Sequence, residues 1–338
     1  MSELDCLFLY SEQCILNVCV APSQPFLSIP MVTASKKGED RVFGKEALEK
    51  DETWELTWLQ DGIGQSDMFQ AFFLFVYQKP SVQKNAEKCK NIVVAPQFVL
   101  HRYPNGEGVV LVNYRHAYAY EWKLPIYAVS EDRLTIERHK PDLAFSLNIS
   151  GDFSSSRAYN SLRIHYESRS YMEVGFDTIV NLFIKLLCEK GYDFTAQRYR
   201  IFCQKLVLDY CYVALDFEKE LERIGNLARP LHEIKLEDGI VLELGKECII
   251  ATEVLFNPEL VGSDDDNIMS LFQHNGFLSL IQAPPLILTG GCAPTLRGFS
   301  ERLHHELETL NTSYVGNPVN IIKTGIREDA IRFLNCFA

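Results

Sequence analysis

The chain has 338 residues, 47% of them hydrophobic and 23% charged, and a formal net charge of −12. That composition is ordinary for a globular protein, and the length is long for one domain and natural for two. The acidic balance argues against nucleic acid as the principal ligand, and no run of about 18 apolar residues marks a membrane-spanning helix. Ten cysteines are scattered without a Cys-x-x-Cys pair, so zinc-ligand spacing is absent. With no signal peptide in view, a reduced cytoplasmic or nuclear compartment is expected. The sequons at Asn148 and Asn311 are then chance matches.

In chain order, Cys6–Tyr10 and Ile15–Ala21 read as the strands of a hairpin, with Ser11-Glu12-Gln13 at its turn. A loop from Pro22 to Pro30 leads to Met31-Val32. Residues 34–61 are polar, with an exposed turn at Lys36–Asp40. Asp67–Gln78 has helical apolar spacing through Met68, Phe72, Phe73 and Val76. Its run Phe72–Tyr77 is too apolar for one helix face. Core burial is the plain explanation and a partner groove the alternative.

Asn91–Ala95 is a buried-strand candidate, Pro104-Asn105-Gly106 a turn, and Gly108–Val112 a further strand. From Val129 to Ser170 the pattern blurs, and Ser154-Ser155-Ser156 points to a surface insertion or loop. Ile179, Leu182, Phe183, Leu186 and Leu187 form a helical face that ends at Gly191. Phe202, Leu206, Tyr210, Val213, Phe217, Leu221 and Ile224 recur at spacings of three and four, predicting one amphipathic helix. Alternation on both sides of Asp238-Gly239 predicts a hairpin. Leu286-Ile287-Leu288 is a buried strand ending in Thr289-Gly290-Gly291. Gly298 opens a helix with the stripe Phe299, Leu303, Leu307 and Leu310. No internal repeat is visible.

Four blocks carry a resemblance. The stretch Asp209–Leu221, with Cys211-Tyr212-Val213-Ala214-Leu215-Asp216-Phe217-Glu218 at its centre, resembles actin's CYVALDFEQE. Asp177–Thr195, Leu236–Gly262 and Leu286–Leu310 are similar to actin segments that stand in the same order. Together they cover roughly residues 171–311, and four ordered matches are far more specific than any one alone. The resemblance is to the actin family of the actin/Hsp70/sugar-kinase superfamily. It implies an α/β, actin-like two-lobed fold: duplicated RNase H-like domains around a central cleft, with accessory subdomains. By that mapping, residues 1–33, 62–105 and 327–338 form subdomain 1 and residues 34–61 a reduced subdomain 2. Residues 106–173 and 263–326 form subdomain 3, with an insertion at about 129–170, and residues 174–262 form subdomain 4.

The family holds ATP phosphates between two hairpins whose turns are rich in Gly, Ser and Asp. Glycine lets backbone N–H groups close on phosphate oxygens, and carboxylates hold the hydrated magnesium. Here the first glycine is Gly38, and the first turn reads Tyr10-Ser11-Glu12-Gln13. The second hairpin maps to Gly108–His116, where Val112, Asn113, Tyr114 and Arg115 replace the expected Asp and Gly. Both phosphate loops are therefore expected to be degenerate. Val207 and Leu208 stand where the family places a Lys-Glu pair beside the base.

On the adenosine side the resemblance implies Gly175, Gly290, Gly291 and Arg327 as binding residues, although a tight strand-to-helix turn wants glycines without any ligand. Gln97 aligns with the water-positioning glutamine, which would make it the catalytic candidate, and aligns as well with an earlier strand that leaves it ordinary. Leu147–Asp152 echoes a phosphate loop, yet is taken as a serine-rich loop because Gly108–Tyr127 would otherwise lack a counterpart. His304 and His305 are adjacent on a helix and face different ways, so no metal site is expected.

The chain ends near the family's crossing segment, and with the short 34–61 region this speaks against polymerisation. The expectation is a divergent actin-related protein that scaffolds a larger assembly, cytoskeletal or chromatin-associated, with no bound cofactor. Its partners would be other protein subunits, with actins or actin-related proteins among the candidates, and neither nucleic acid nor membrane. The alternative is a slow ATPase or filament former that binds ATP or ADP with magnesium. A sugar- or acetate-kinase activity is disfavoured because the matching strings are actin's own.

Overall fold

A computed structural model describes residues 6–95, 124–311 and 319–323, apart from gaps at 13, 22, 60–65, 125, 152, 161–162, 237–238, 275 and 278–283. The chain divides into two compact units: one holds the described residues up to Lys140, the other runs from Pro141 to Lys323.

The first unit is built on a five-stranded sheet. β1 (Cys6–Glu12) and β2 (Ile15–Ala21) form the predicted hairpin, and β3 (Leu27–Pro30) pairs antiparallel with β2. On the other side of β1, β7 (Asn91–Ala95) and β8 (Ile126–Ala128) run parallel to it, giving the order β3-β2-β1-β7-β8. Successive side chains in a strand face opposite ways. Leu7, Leu9, Leu16, Val18, Ile92 and Val94 therefore line one face, where α2 (Ser66–Tyr77) and α3 (Pro80–Ala86) cover them. Cys6, Phe8, Tyr10, Cys19, Val93 and Ala95 line the other, packed with Leu134 of α4 (Glu131–His139). Burial on both faces explains why these strands read as unbroken apolar runs.

The apolar run in α2 is core. Phe72, Phe73 and Val76 are buried to 1% exposure or less, while Leu74 is exposed. Burying such a side chain stabilises by about 1.5–3 kcal/mol. Phe75 and Phe72 also meet Phe43, at ring-centroid distances of 5.4 and 6.1 Å. Phe43 belongs to a small three-stranded sheet of β4 (Val32–Ser35), β5 (Val42–Phe43) and β6 (Glu55–Trp58), with α1 (Lys45–Leu48) beside it. The described part of the polar 34–61 stretch, residues 34–59, thus contains regular structure, and its Phe43 packs against α2.

The second unit repeats the first topology. β9 (Leu143–Ile149), β10 (Ser154–Asn160) and β11 (Arg163–Met172) pair antiparallel, and β14 (Leu286–Thr289) and β15 (Ile321–Lys323) add parallel strands in the order β11-β10-β9-β14-β15. Residues 131–172 are therefore a helix and three strands, not a surface insertion. The reason lies in the buried polar residues. Ser154 Oγ donates to Val174 O (2.7 Å), and Ser156 Oγ and Ser170 Oγ donate to the Leu271 carbonyl (2.9 Å each). A hydroxyl with its hydrogen bond made is at home in a core, so serine content did not mark exposure here.

The unit also holds α5 (Phe176–Glu189), α6 (Arg200–Tyr210), α7 (Phe217–Gly225), α8 (Glu247–Glu253), α9 (Ser270–His274) and α10 (Phe299–Leu310). The hairpin predicted at Asp238-Gly239 is present as β12 (His232–Lys235) and β13 (Val241–Leu244).

The single helix predicted through 202–224 is two. α6 ends at Tyr210, Cys211 is extended, and Val213 N donates to Arg297 O (2.8 Å) while Tyr212 N donates to Cys248 O (3.2 Å). The chain re-enters helix at Asp216, whose carboxylate accepts from Lys219 N at 3.2 Å. Asp216 is the N-cap of α7, a position that favours Asp. The stripe crossed the break because extended backbone also buried Val213.

Candidate functional site

In the first unit β1 and β2 pair without interruption from Cys6↔Ala21 to Glu12↔Ile15, so only positions 13 and 14 separate them. Tyr10, Ser11 and Glu12, read as turn residues, belong to β1. Tyr10 is 7% exposed and stacks on Phe8 at 5.2 Å, which makes it core. Cys14 takes a left-handed conformation (φ +57°), and its carbonyl accepts from Met31 N at 2.7 Å. A two-residue turn committed in this way has no glycine nest for an anion.

In the second sheet the places of β1 and β2 are held by β9 and β10. Their turn is Ser150–Phe153, the segment taken from the sequence as a serine-rich loop. Gly108–His116, including Val112, Asn113, Tyr114 and Arg115, lies outside the described residues, as do Gln97 and Arg327.

The Ser150–Phe153 turn is closed by its own groups. Ser150 N and Oγ both donate to Phe153 O (2.9 and 2.8 Å). Its carbonyls point at the start of α5, where Phe176 N donates to Ser150 O and Asp177 N to Gly151 O (2.8 Å each). Those N–H groups are the orphan donors of a helix N-terminus, which an anion could otherwise take.

The predicted glycines do converge here, at the carboxyl ends of β9 and β14. A Cβ on Gly175 would lie 2.4 Å from Gly151 O and 2.6 Å from Ser150 O. A Cβ on Gly290, at φ +97°, would lie 2.1 Å from Ile149 O. Gly291 also has positive φ (+72°). Close backbone approach accounts for both Gly175 and Gly290 without a ligand.

Asn148, one residue before the end of β9, is 6% exposed. Its Oδ1 accepts from Thr289 Oγ1 at 3.0 Å, and its buried Nδ2 has no partner among the described residues. Asp177 is paired with Arg200 at 2.5 Å. Val207, fully buried, and Leu208, packed against the same core, face the interior of the unit. Among the described residues no cluster of His, Cys, Asp or Glu could hold a metal ion.

Sequence reasoning missed a buried ionic group beside the break between α6 and α7. Arg302 of α10 donates to Ala214 O (2.7 Å), Glu306 (2.6 Å) and Glu253 (3.2 Å), and lies over the Phe256 ring. Burial raises the Glu253 carboxyl to about 7 against the pull of Arg302. Nearby, Tyr212 donates to Glu220 at 2.5 Å. The Arg223 guanidinium and the Tyr212 hydroxyl hold Glu220 down at about 2.

No protein-family model matches the chain. Curated proteins do. Centractin of Schizosaccharomyces pombe is 30% identical over 144 residues, 41% of this chain and 38% of centractin. Actin-related protein 2 of Caenorhabditis briggsae is 30% identical over 185 residues, 51% and 45% of the two chains. Human actin-like protein 7B is 32% identical over 139 residues, 39% and 32%. The chain is an actin relative. The matched regions span less than half the length of these curated relatives. The five-stranded topology that this actin relative repeats, three antiparallel strands and then two parallel, belongs to the actin-like fold. Among its described residues no helix is long and apolar enough to cross a membrane.

Among the described residues the β1–β2 turn carries no glycine, and the N–H groups of Phe176 and Asp177 at the start of α5 are taken by the Ser150 and Gly151 carbonyls.

Proposed function

We propose that this actin relative is a scaffolding subunit of a larger protein assembly, cytoskeletal or chromatin-associated, whose phosphate hairpins no longer hold a triphosphate. The observations that support the reading come from each unit by itself: in the first the β1–β2 ladder runs on to Glu12↔Ile15 with no glycine at its turn, and in the second the Ser150 and Gly151 carbonyls accept from the first N–H groups of α5. Val207, buried, and Leu208, partly buried against the same core, support it further, because no charged pair stands there for a base. Similarity to centractin and actin-related protein 2 supports other protein subunits, actins or actin-related proteins among them, as partners.

The test is a thermal melt with and without magnesium ATP. A ligand at a hundred times its dissociation constant stabilises by ~2.7 kcal/mol, or a shift of roughly 5–10 °C for a unit of this size. The expected result is no shift. A clear shift with slow hydrolysis would establish the alternative, an ATP-binding actin-like ATPase.

A further inference from the structure

The two-stranded sheet β12-β13 has two outer edges, and they differ. In an antiparallel pair, alternate residues turn their N–H and C=O groups away from the partner strand. Leu236 N bonds Ile240 O (2.8 Å), so by alternation Glu233↔Glu243 and Lys235↔Val241 are the outward-turned pairs.

On β13 those outward groups are taken. Glu243 N donates to the Tyr192 hydroxyl (3.2 Å), which donates to Val241 O (3.2 Å), and Lys190 Nζ donates to Glu243 O (2.5 Å). Lys190 is itself anchored on buried Glu247 at 2.8 Å. On β12 no described residue bonds the outward N–H and C=O of Glu233 and Lys235, and both residues are exposed. An open strand edge is a template for another strand.

The side chains indicate what would lie there. Glu233 and Glu243 stand directly opposite each other on the exposed face, and like charges so placed repel. A cation beside Glu233 would relieve that repulsion. On the other face Ile234 is half-buried against the core, so an apolar neighbour suits it. A second copy of this chain, with net charge −12, is the wrong charge. We propose that the free edge of β12 accepts an extended segment of a basic partner protein as a third strand, with a Lys or Arg set beside Glu233 and Glu243. This does not depend on whether the chain holds a nucleotide.

The experiment is amide hydrogen exchange on the full chain, with a blocked peptide, Val-Thr-Val-Lys-Val-Thr-Val, as probe. Without peptide, the Glu233 and Lys235 amides exchange quickly and the Glu243 amide slowly. At about 90% occupancy the peptide slows Glu233 and Lys235 about tenfold. The same peptide with Glu for Lys binds more weakly, a version N-methylated on its bonding edge fails, and Glu233→Lys abolishes the preference for the Lys peptide. The proposal is overturned if those two amides are already slow alone, if the Lys peptide leaves them fast, or if the Glu or N-methylated peptide slows them equally. Slowing that tracks protein concentration without peptide would assign the edge to a second copy and overturn the choice of partner.

Discussion

An alanine at position 290 would carry its Cβ 2.1 Å from Ile149 O and 2.4 Å from the same carbonyl carbon. Ordinary contact needs well over 3 Å, and both atoms are backbone, so no side chain can rotate away. Relief requires β9 and β14 to part where they pair, at Leu288↔Leu147 and Thr289↔Asn148. The left-handed φ of +97° adds ~1–2 kcal/mol for any residue with a Cβ. Together these put Gly290→Ala at about 4 kcal/mol. Gly262→Ala is the control: its φ is +72°, but nothing lies within 4 Å of the added carbon, so only the dihedral cost of ~1 kcal/mol remains. For a unit of 150–250 residues a kcal/mol is ~2–4 °C, so the melting temperatures should fall by roughly 8–16 °C and 2–4 °C. Urea unfolding followed by circular dichroism gives the same comparison as free energies. Losses that agree within about 1 kcal/mol would refute close approach as the reason for glycine at 290.

Glu253, raised to about 7 by burial, binds a proton more tightly folded than unfolded. Its contribution to stability is therefore present at low pH and lost as pH rises from about 4.5 to 7, by up to ~3 kcal/mol. Glu253→Gln should flatten the stability–pH curve across that window, read by urea midpoints at each pH; an unchanged slope would place the titration elsewhere. Asp216→Ala removes the cap from α7 and should lower the urea midpoint with no change in m-value. An unchanged midpoint would mean that Asp216 does not hold the helix start.

Much of the second unit was legible. The helix at Phe176–Glu189, the hairpin at Asp238-Gly239 and the strand Leu286–Thr289 follow from periodicity and turn chemistry, and the ordered blocks there pointed to the family. Backbone carbonyls crowd the Cβ positions of Gly175 and Gly290, and sequence could not rank that reason, since a ligand and a neighbouring carbonyl ask for the same missing Cβ. Between Val129 and Ser170 reading failed. Ser154, Ser156 and Arg157 are buried, and burial of polar groups depends on hydrogen-bond partners distant in sequence, such as the carbonyl of Leu271.

Local pattern by itself determined which segments were helix or strand, where Gly191 and Gly298 ended or opened them, and which family the chain resembles. These depend on neighbours a few residues away. Only the tertiary structure decided that one five-stranded topology occurs twice, that the stripe through Val213 is broken between two helices, and that the Ser150–Phe153 turn caps α5. Each of those is fixed by backbone groups meeting across tens of residues, and no periodicity within a single segment encodes such a meeting.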